Sequence, residues 1–93
     1  MRRIEDITHN GKPLADILSD HKKWLEGKGG QTADLSEADL SYSNLRGSNL
    51  SEADLSEADL RGSNLSYSYM SYSNLSGSNL RGSNLSGSNL IGS

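Results

Sequence analysis

Residues 33–93 read ADLSE ADLSY SNLRG SNLSE ADLSE ADLRG SNLSY SYMSY SNLSG SNLRG SNLSG SNLIG S, which is twelve five-residue units and one further serine. Each unit has the form A/S-D/N-L-x-x, except that Tyr69 and Met70 occupy the second and third positions of one unit. The third position never slips out of phase, so we expect its residues to form the core. They are Leu35, Leu40, Leu45, Leu50, Leu55, Leu60, Leu65, Met70, Leu75, Leu80, Leu85 and Leu90.

A period of five suits neither a straight helix nor a straight strand. Five residues advance an α-helix by about 500°, so the leucines would spread around it. In a straight strand, an odd period puts alternate leucines on opposite faces of the sheet. The chain therefore has to bend once in each unit. The small residue and the leucine would point inward from a short extended segment, and the two variable residues would form the corner.

The corner residues are typical of turns. Many corners read Arg-Gly or Ser-Gly, and glycine at the second central position suits a type II turn. The other corners carry Ser-Glu or Ser-Tyr, for which we expect a different turn type, because Glu and Tyr adopt a positive φ only at a cost. Four right-angled corners would close a coil of twenty residues, and the recurrence of Ala33–Leu40 as Ala53–Leu60 favours this length. Twelve units would then make three coils, stacked about 4.8 Å apart.

This array of units resembles the pentapeptide-repeat family over roughly two-thirds of the chain. The resemblance implies an all-β solenoid, namely a right-handed, quadrilateral β-helix of about three coils. Its handedness and square section come from the resemblance and not from the spacing. Proteins of this family commonly begin with a W-L-E-x-x-G-G lead, which is similar to Trp24-Leu25-Glu26 and Gly29-Gly30 in this chain.

Residues 1–32 form a lead that contains a predicted helix over about 13–27. Pro13 suits the first helical position, Gly27 suits the C-terminal cap, and Asn10-Gly11 predicts a preceding turn. A solenoid exposes the core of its first coil, so we expect this helix to cover it as an N-terminal α-helical cap. Trp24 and Leu25 would then lie over the leucines of the first coil. The expected capping residues are Leu14, Ile17, Leu18, Trp24 and Leu25.

The last coil has no such helix in the sequence, and an uncapped edge readily pairs with another chain. We therefore expect a homodimer joined through the third coil, because two-fold pairing of identical ends closes the assembly. The expected interface consists of Leu75, Leu80, Leu85, Leu90 and Ile91.

Composition indicates one small domain without disulfides, since the chain has one proline and no cysteine. It has neither the apolar core of a signal peptide nor a run long enough to span a membrane, so we expect a soluble, cytoplasmic protein that contacts neither membranes nor nucleic acid directly.

Residues suited to catalysis or cofactor binding are scarce. The two histidines, His9 and His21, lie outside the array, so no serine there has a neighbouring base in sequence, and His21 is expected on a helix face. A calcium site would draw on aspartate oxygens, but outward side chains on flat faces make poor cages. We expect no enzyme activity, no cofactor and no metal.

Tyrosines and aspartates are the candidate partner-binding residues. Exposed aromatic side chains can anchor a partner, although these tyrosines could instead cover glycines twenty residues away, with Tyr67 between Gly47 and Gly87. The acidic residues of the array all precede Leu60 and would stack into one patch. The candidates are Tyr67, Tyr69, Tyr72, Asp34, Asp39, Asp54 and Asp59. In later units, asparagine amides would form ladders between coils.

The leading hypothesis is a non-catalytic structural or protein-interaction module whose partner is an unknown protein. The resemblance implies an alternative, because some members of the family mimic duplex DNA and bind DNA gyrase or topoisomerase. Charge counts against mimicry, since duplex DNA as long as three coils would carry about eight negative charges. The array has seven acidic and three basic residues.

Overall fold

The computed structural model describes residues 1–93. Parallel backbone bridges join residues twenty apart throughout the array, for example Asp34 with Asp54 and Asp54 with Asn74. Each bridge consists of a pair of hydrogen bonds, as where Leu35 N–H donates to Asp54 O at 2.8 Å and Asp54 N–H donates to Ala33 O at 3.0 Å. We refer to residues 33–52, 53–72 and 73–92 as the first, second and third coils. The five-residue unit and its twenty-residue stacking therefore organise the backbone.

The third-position residues point into the stack. Those of the first and second coils, from Leu35 to Met70, are at most 2% exposed. In the third coil Leu75, Leu80 and Leu85 are half-buried and Leu90 is 37% exposed, because no coil stacks on that side. Six of the eight inward serines of the array donate to nearby backbone carbonyls, as Ser63 Oγ does to Leu60 O at 2.7 Å, whereas the buried hydroxyls of Ser48 and Ser68 have no hydrogen-bond partner.

At all twelve corners the second residue has a positive φ and the same backbone hydrogen bond closes the turn, as Ala38 N–H to Leu35 O does at 3.1 Å, so the expectation of a different turn at Ser-Glu and Ser-Tyr corners is wrong. Glu37 has a φ of 61° and Tyr42 a φ of 55°, close to the 69° of Gly47. Stacking is the physical reason. Glu37 N–H donates to Ser56 O at 2.8 Å, just as Gly47 N–H donates to Ser66 O at 2.9 Å. The ladder therefore holds residues other than glycine in the left-handed region, at a cost that the surrounding hydrogen bonds offset.

The lead adds to the first coil before it reaches the helix. Arg2 forms a parallel bridge with Ser43, because Arg2 N–H donates to Tyr42 O at 2.7 Å and Asn44 N–H donates to Arg2 O at 2.8 Å. A short 3-10 helix, Ile4–Asp6, follows. Strand β1, Thr8–His9, then pairs antiparallel with strand β2, Lys12–Pro13, across the Asn10-Gly11 turn.

Helix α1 spans Leu14–Leu25, which is shorter than the predicted 13–27. Gly27 follows it with a φ of 71°. Gly27 N–H donates to Trp24 O at 3.1 Å and Lys28 N–H donates to Lys23 O at 2.9 Å, which is a Schellman motif. None of the helices has the length and apolar character that a membrane span requires.

The apolar face of α1 packs on the first coil, but not with every residue expected there. Leu14 and Ile17 join Ile7 and the array leucines in one core cluster, and Leu18 packs partly against it. Leu25 is half-buried. Trp24 is 38% exposed, so its placement over the first-coil leucines is wrong. Around the helix axis, Trp24 lies about 70° from the centre of the apolar stripe. His21 lies near that centre instead.

Candidate interaction surface

In nearly every unit the outward Asp or Asn accepts a hydrogen bond that stabilises its own corner, and we call this hydrogen bond the brace. Asp34 Oδ1 accepts a hydrogen bond from Ser36 N–H at 3.1 Å, and the same bond recurs at eleven of the twelve units. The expected ladders of asparagine amides between coils are absent, and each Oδ1 accepts instead from the backbone N–H two residues ahead. The second position thus stabilises the corner locally.

Tyr69 is the one outward residue that cannot make this brace, because its ring carries no acceptor near the backbone. It is 55% exposed, and it bridges Asn49 on one side and Asn89 on the other through its backbone alone. Tyr67 and Tyr72 occupy the corners at either end of the same short segment and are 56% and 67% exposed. These three residues form what we call the tyrosine face.

Two of the three tyrosines also have a structural role, as does Tyr42. An ideal Cβ added to Gly87 would lie 2.7 Å from the Tyr67 ring, and one added to Gly92 would lie 2.6 Å from the Tyr72 ring. Their rings therefore cover glycines of the next coil. The expectation that Tyr67 also covers Gly47 is wrong, since nothing lies within 4 Å of a Cβ built there. Tyr69 has no such contact with a glycine.

The aspartates stack on two other sides of the coils, where hydrogen bonds favour the ionised form of three of them and arginines offset part of the charge of two. Hydrogen bonds from the Ser41 hydroxyl and backbone, with Arg2 nearby, lower the pKa of Asp39. Arg61 forms a double hydrogen bond with Asp59, at 2.8 and 2.7 Å, and lowers its pKa. The Ser36 hydroxyl does the same for the pKa of Asp34. No group of three or more carboxylates or imidazoles is placed to hold a metal ion.

His21 lies fully buried between α1 and the first coil. Its Nδ1 accepts a hydrogen bond from Ala33 N–H at 2.9 Å, so Nε2 carries the proton and donates to Ser51 O at 2.8 Å. The Trp24 ring stacks on it, with centroids 6.0 Å apart. Burial lowers the pKa of His21, against the opposing effects of the Ser51 carbonyl and Glu52. The imidazole is thus a neutral link between helix and array, which no signal in the sequence distinguishes from an ordinary helix-face histidine.

The family model of pentapeptide repeats matches residues 33–66 and 58–93, with eight copies. The chain belongs to the pentapeptide-repeat family. Solved pentapeptide-repeat proteins include Rfr23 from the cyanobacterium Cyanothece 51142, which is 29% identical over 69% of this chain and 60% of its own, with a TM-score of 0.44. HetL from the cyanobacterium Nostoc sp. strain PCC 7120, a protein involved in heterocyst differentiation regulation, is 29% identical over 66% of this chain and 42% of its own, with a TM-score of 0.35. This chain therefore spans less than two-thirds of the length of either protein. No curated protein matches it.

In this pentapeptide-repeat protein, the candidate binding residues fall into separate groups. The tyrosine face occupies one side of the second coil, whereas Asp34 stacks with Asp54, and Asp39 with Asp59, on the sides that follow. The proposed dimer residues lie together on the open side of the third coil, where Ile91 is 67% exposed. The aspartates and Tyr69 therefore lie on different sides of the coils.

Proposed function

We propose that this chain is a non-catalytic protein-interaction module, and that its tyrosine face contacts a partner protein. The scaffold we propose for it is a right-handed, four-sided β-helix of three coils, capped at its first coil by α1. Stacking at twenty residues, the packing of Leu14 and Ile17 on the core, and membership of the pentapeptide-repeat family support this scaffold.

The observation that carries the proposal is the missing brace at Tyr69. Eleven units keep an Asp or Asn that closes its corner, while this one exposes a large aromatic side chain in its place. A surface residue that departs from a stabilising pattern without a compensating contact is expected at a functional site. Tyrosine is also enriched among the residues that dominate protein interfaces.

Replacing Tyr69 with asparagine separates two roles of this position, namely the corner hydrogen bond that it supplies in other units and the partner binding that we propose for the tyrosine ring. The variant Tyr69→Asn restores the acceptor for Ser71 N–H, and we expect it to raise the free energy of unfolding by about 0.5 to 1.5 kcal/mol. We also expect it to lose a partner that the parent protein captures by crosslinking in extracts of the host cell, while the matched variant Asp54→Asn on the acidic side retains it. Capture that survives in Tyr69→Asn and fails in Asp54→Asn would refute the tyrosine face as the binding surface.

We further propose that two copies pair through the open side of the third coil. Leu75, Leu80, Leu85 and Leu90 each leave a backbone N–H without a backbone partner there, and their side chains are only partly covered. Two-fold pairing would satisfy these groups and end growth at two chains, since α1 blocks the opposite end. Light scattering over a dilution series tests this, and we expect Leu90→Lys or Ile91→Glu to give monomers. A parent protein that is monomeric at every concentration would contradict it.

A further inference from the structure

A groove with a volume of about 530 Å³ lies between α1 and the first coil. Its apolar lining comes from both sides, and the corner at Gly47 leaves it open because glycine has no side chain to fill it. The lining includes Ala15, Leu18, Leu25 and Leu45. This volume falls within the range of natural ligand pockets.

The rim of the groove carries two cations that pair with no carboxylate. Lys22 and Arg46 both line it, and neither takes part in any ion pair of the structure, whereas the one acidic residue of the lining, Glu26, is matched by Lys28 at 3.7 Å. Arg46 is held in place by its neighbours of the second coil. Its guanidinium lies 4.5 Å from the centre of the Tyr67 ring, and its Nη1 donates to Ser66 Oγ at 3.2 Å. One charge on this rim is therefore already positioned before any ligand arrives.

The groove continues onto the tyrosine face. Asn49 lines the groove and is also the bridge partner of Tyr69 in the next coil. Arg46 lines it and stacks on Tyr67. An extended chain that leaves the groove across this corner therefore meets exposed aromatic rings within one coil spacing, about 4.8 Å.

We propose that the groove and the tyrosine face together bind an acidic peptide segment of the partner protein, with apolar anchor side chains in the groove. This rests on the proposed function and specifies the chemistry of the partner. The carboxylates of the segment would pair with Lys22 and Arg46. The stacked aspartates on other sides of the coils would repel the same segment. Glu52 lies at the corner that stacks on that of Tyr72, so the carboxylates of the segment are placed at the groove end of this surface, beside Lys22 and Arg46.

Titration of the isotope-labelled full chain with three synthetic hexapeptides, followed by backbone amide shifts, tests the proposal. The first peptide is Glu-Asp-Leu-Leu-Glu-Asp, the second has Gln and Asn in place of its acids, and the third has Ser in place of its leucines. We expect shifts at Leu18, Lys22 and Arg46 with the first peptide, and binding weaker by about tenfold or more with either control. Affinity for the first peptide should also fall as salt rises from about 50 to about 300 mM.

Three variants decide whether the contact is where we place it. Ala15→Leu keeps a good helix former and fills the groove, and Lys22→Glu reverses a rim charge; each should weaken binding of the first peptide about tenfold. Arg81→Glu makes the same charge change on the third coil and should leave it unaltered. Absence of shifts with the first peptide, shifts confined to other faces, or equal losses with Arg81→Glu would overturn the proposal.

The same variants separate this inference from the broader function. In the crosslinking experiment, a partner that Tyr69→Asn loses but Ala15→Leu and Lys22→Glu retain would overturn the acidic-peptide groove while leaving the interaction module intact. Loss of that partner in all three supports the groove and the tyrosine face as one surface.

Discussion

Adding one methyl group at Gly62 should test how tightly the tyrosine rings pack on the glycines of the following coil. Gly62 has a φ of 65°, and a Cβ at this position would lie 2.5 Å from the Tyr42 ring. Gly47 is the matched control, because it also follows an arginine at a corner, has a φ of 69° and would place its Cβ with no atom within 4 Å. The two alanine variants therefore share the backbone strain and differ in the clash.

The magnitude follows from these two contributions. Alanine in the left-handed region costs about 1 to 2 kcal/mol, and the reduced freedom of the unfolded chain offsets about 0.4 to 1 of this. We therefore expect Gly47→Ala to lower the free energy of unfolding by about 1 kcal/mol. Displacement of the ring adds about 1 to 3 kcal/mol, the usual cost of overpacking, so Gly62→Ala should lose about 2 to 4 kcal/mol.

Urea unfolding followed by circular dichroism measures both values, and Trp24 fluorescence reports whether α1 unfolds together with the array. The double variant Tyr42→Ala/Gly62→Ala supplies the decisive comparison. Without the ring, the cost of Gly62→Ala should fall to that of Gly47→Ala. Equal costs for the two single variants, or a cost at Gly62 that persists without Tyr42, would refute the packing argument.

Three further predictions follow from the core, the buried histidine and the charges. Leu60→Ala should cost about 2 to 5 kcal/mol, as truncation of a buried leucine does. In the monomeric Ile91→Glu background, Leu90→Ala should cost about 1 kcal/mol or less because that side chain is already 37% exposed in the single chain, and equal costs in urea unfolding would contradict the burial. The free energy of unfolding should fall as pH drops below about 6.5, because the unfolded chain then binds a proton that folded His21, with its lowered pKa, does not yet accept. The variant His21→Leu should flatten this part of the pH profile. An unchanged slope in that variant would show that another group is responsible. The protein should not inhibit DNA supercoiling by gyrase, since Arg2 and Arg61 already pair with Asp39 and Asp59; inhibition that fades with added salt would instead support mimicry of DNA.

The five-residue phase made the array predictable, because each position of the unit has one chemical task. Because a leucine recurs at every fifth residue, these side chains were expected to point into the stack. The repetition of Ala33–Leu40 after twenty residues likewise predicted the bridge between Asp34 and Asp54. Local propensity failed at the corners. Glu37 and Tyr42 avoid a positive φ as isolated residues, but the ladder of the neighbouring coil outweighs that preference.

The contacts between the lead and the array were less predictable, because they join segments with no shared periodicity. The pairing of Arg2 with the first coil has no counterpart in the sequence pattern. The helix period placed His21 and Trp24 on one broad face, but only the packed structure shows that His21 is enclosed and Trp24 is not. The groove depends on the same packing of the lead against the array, so the sequence pattern did not predict it. The missing brace at Tyr69 appeared in the sequence only as a departure from the repeat.

Because bridges join residues twenty apart, two quantities define the position of every surface residue: its coil along the stack and its side around the stack. Insertion of a single five-residue unit after Glu52 would rotate everything downstream by a quarter turn, moving Tyr69 from the column of Asn49 to the column of Asp34. Insertion of four units would instead keep Tyr69 in its column and move it one layer further from α1. Changes in length therefore act on this protein in discrete steps, and only multiples of twenty residues preserve the pattern of its sides.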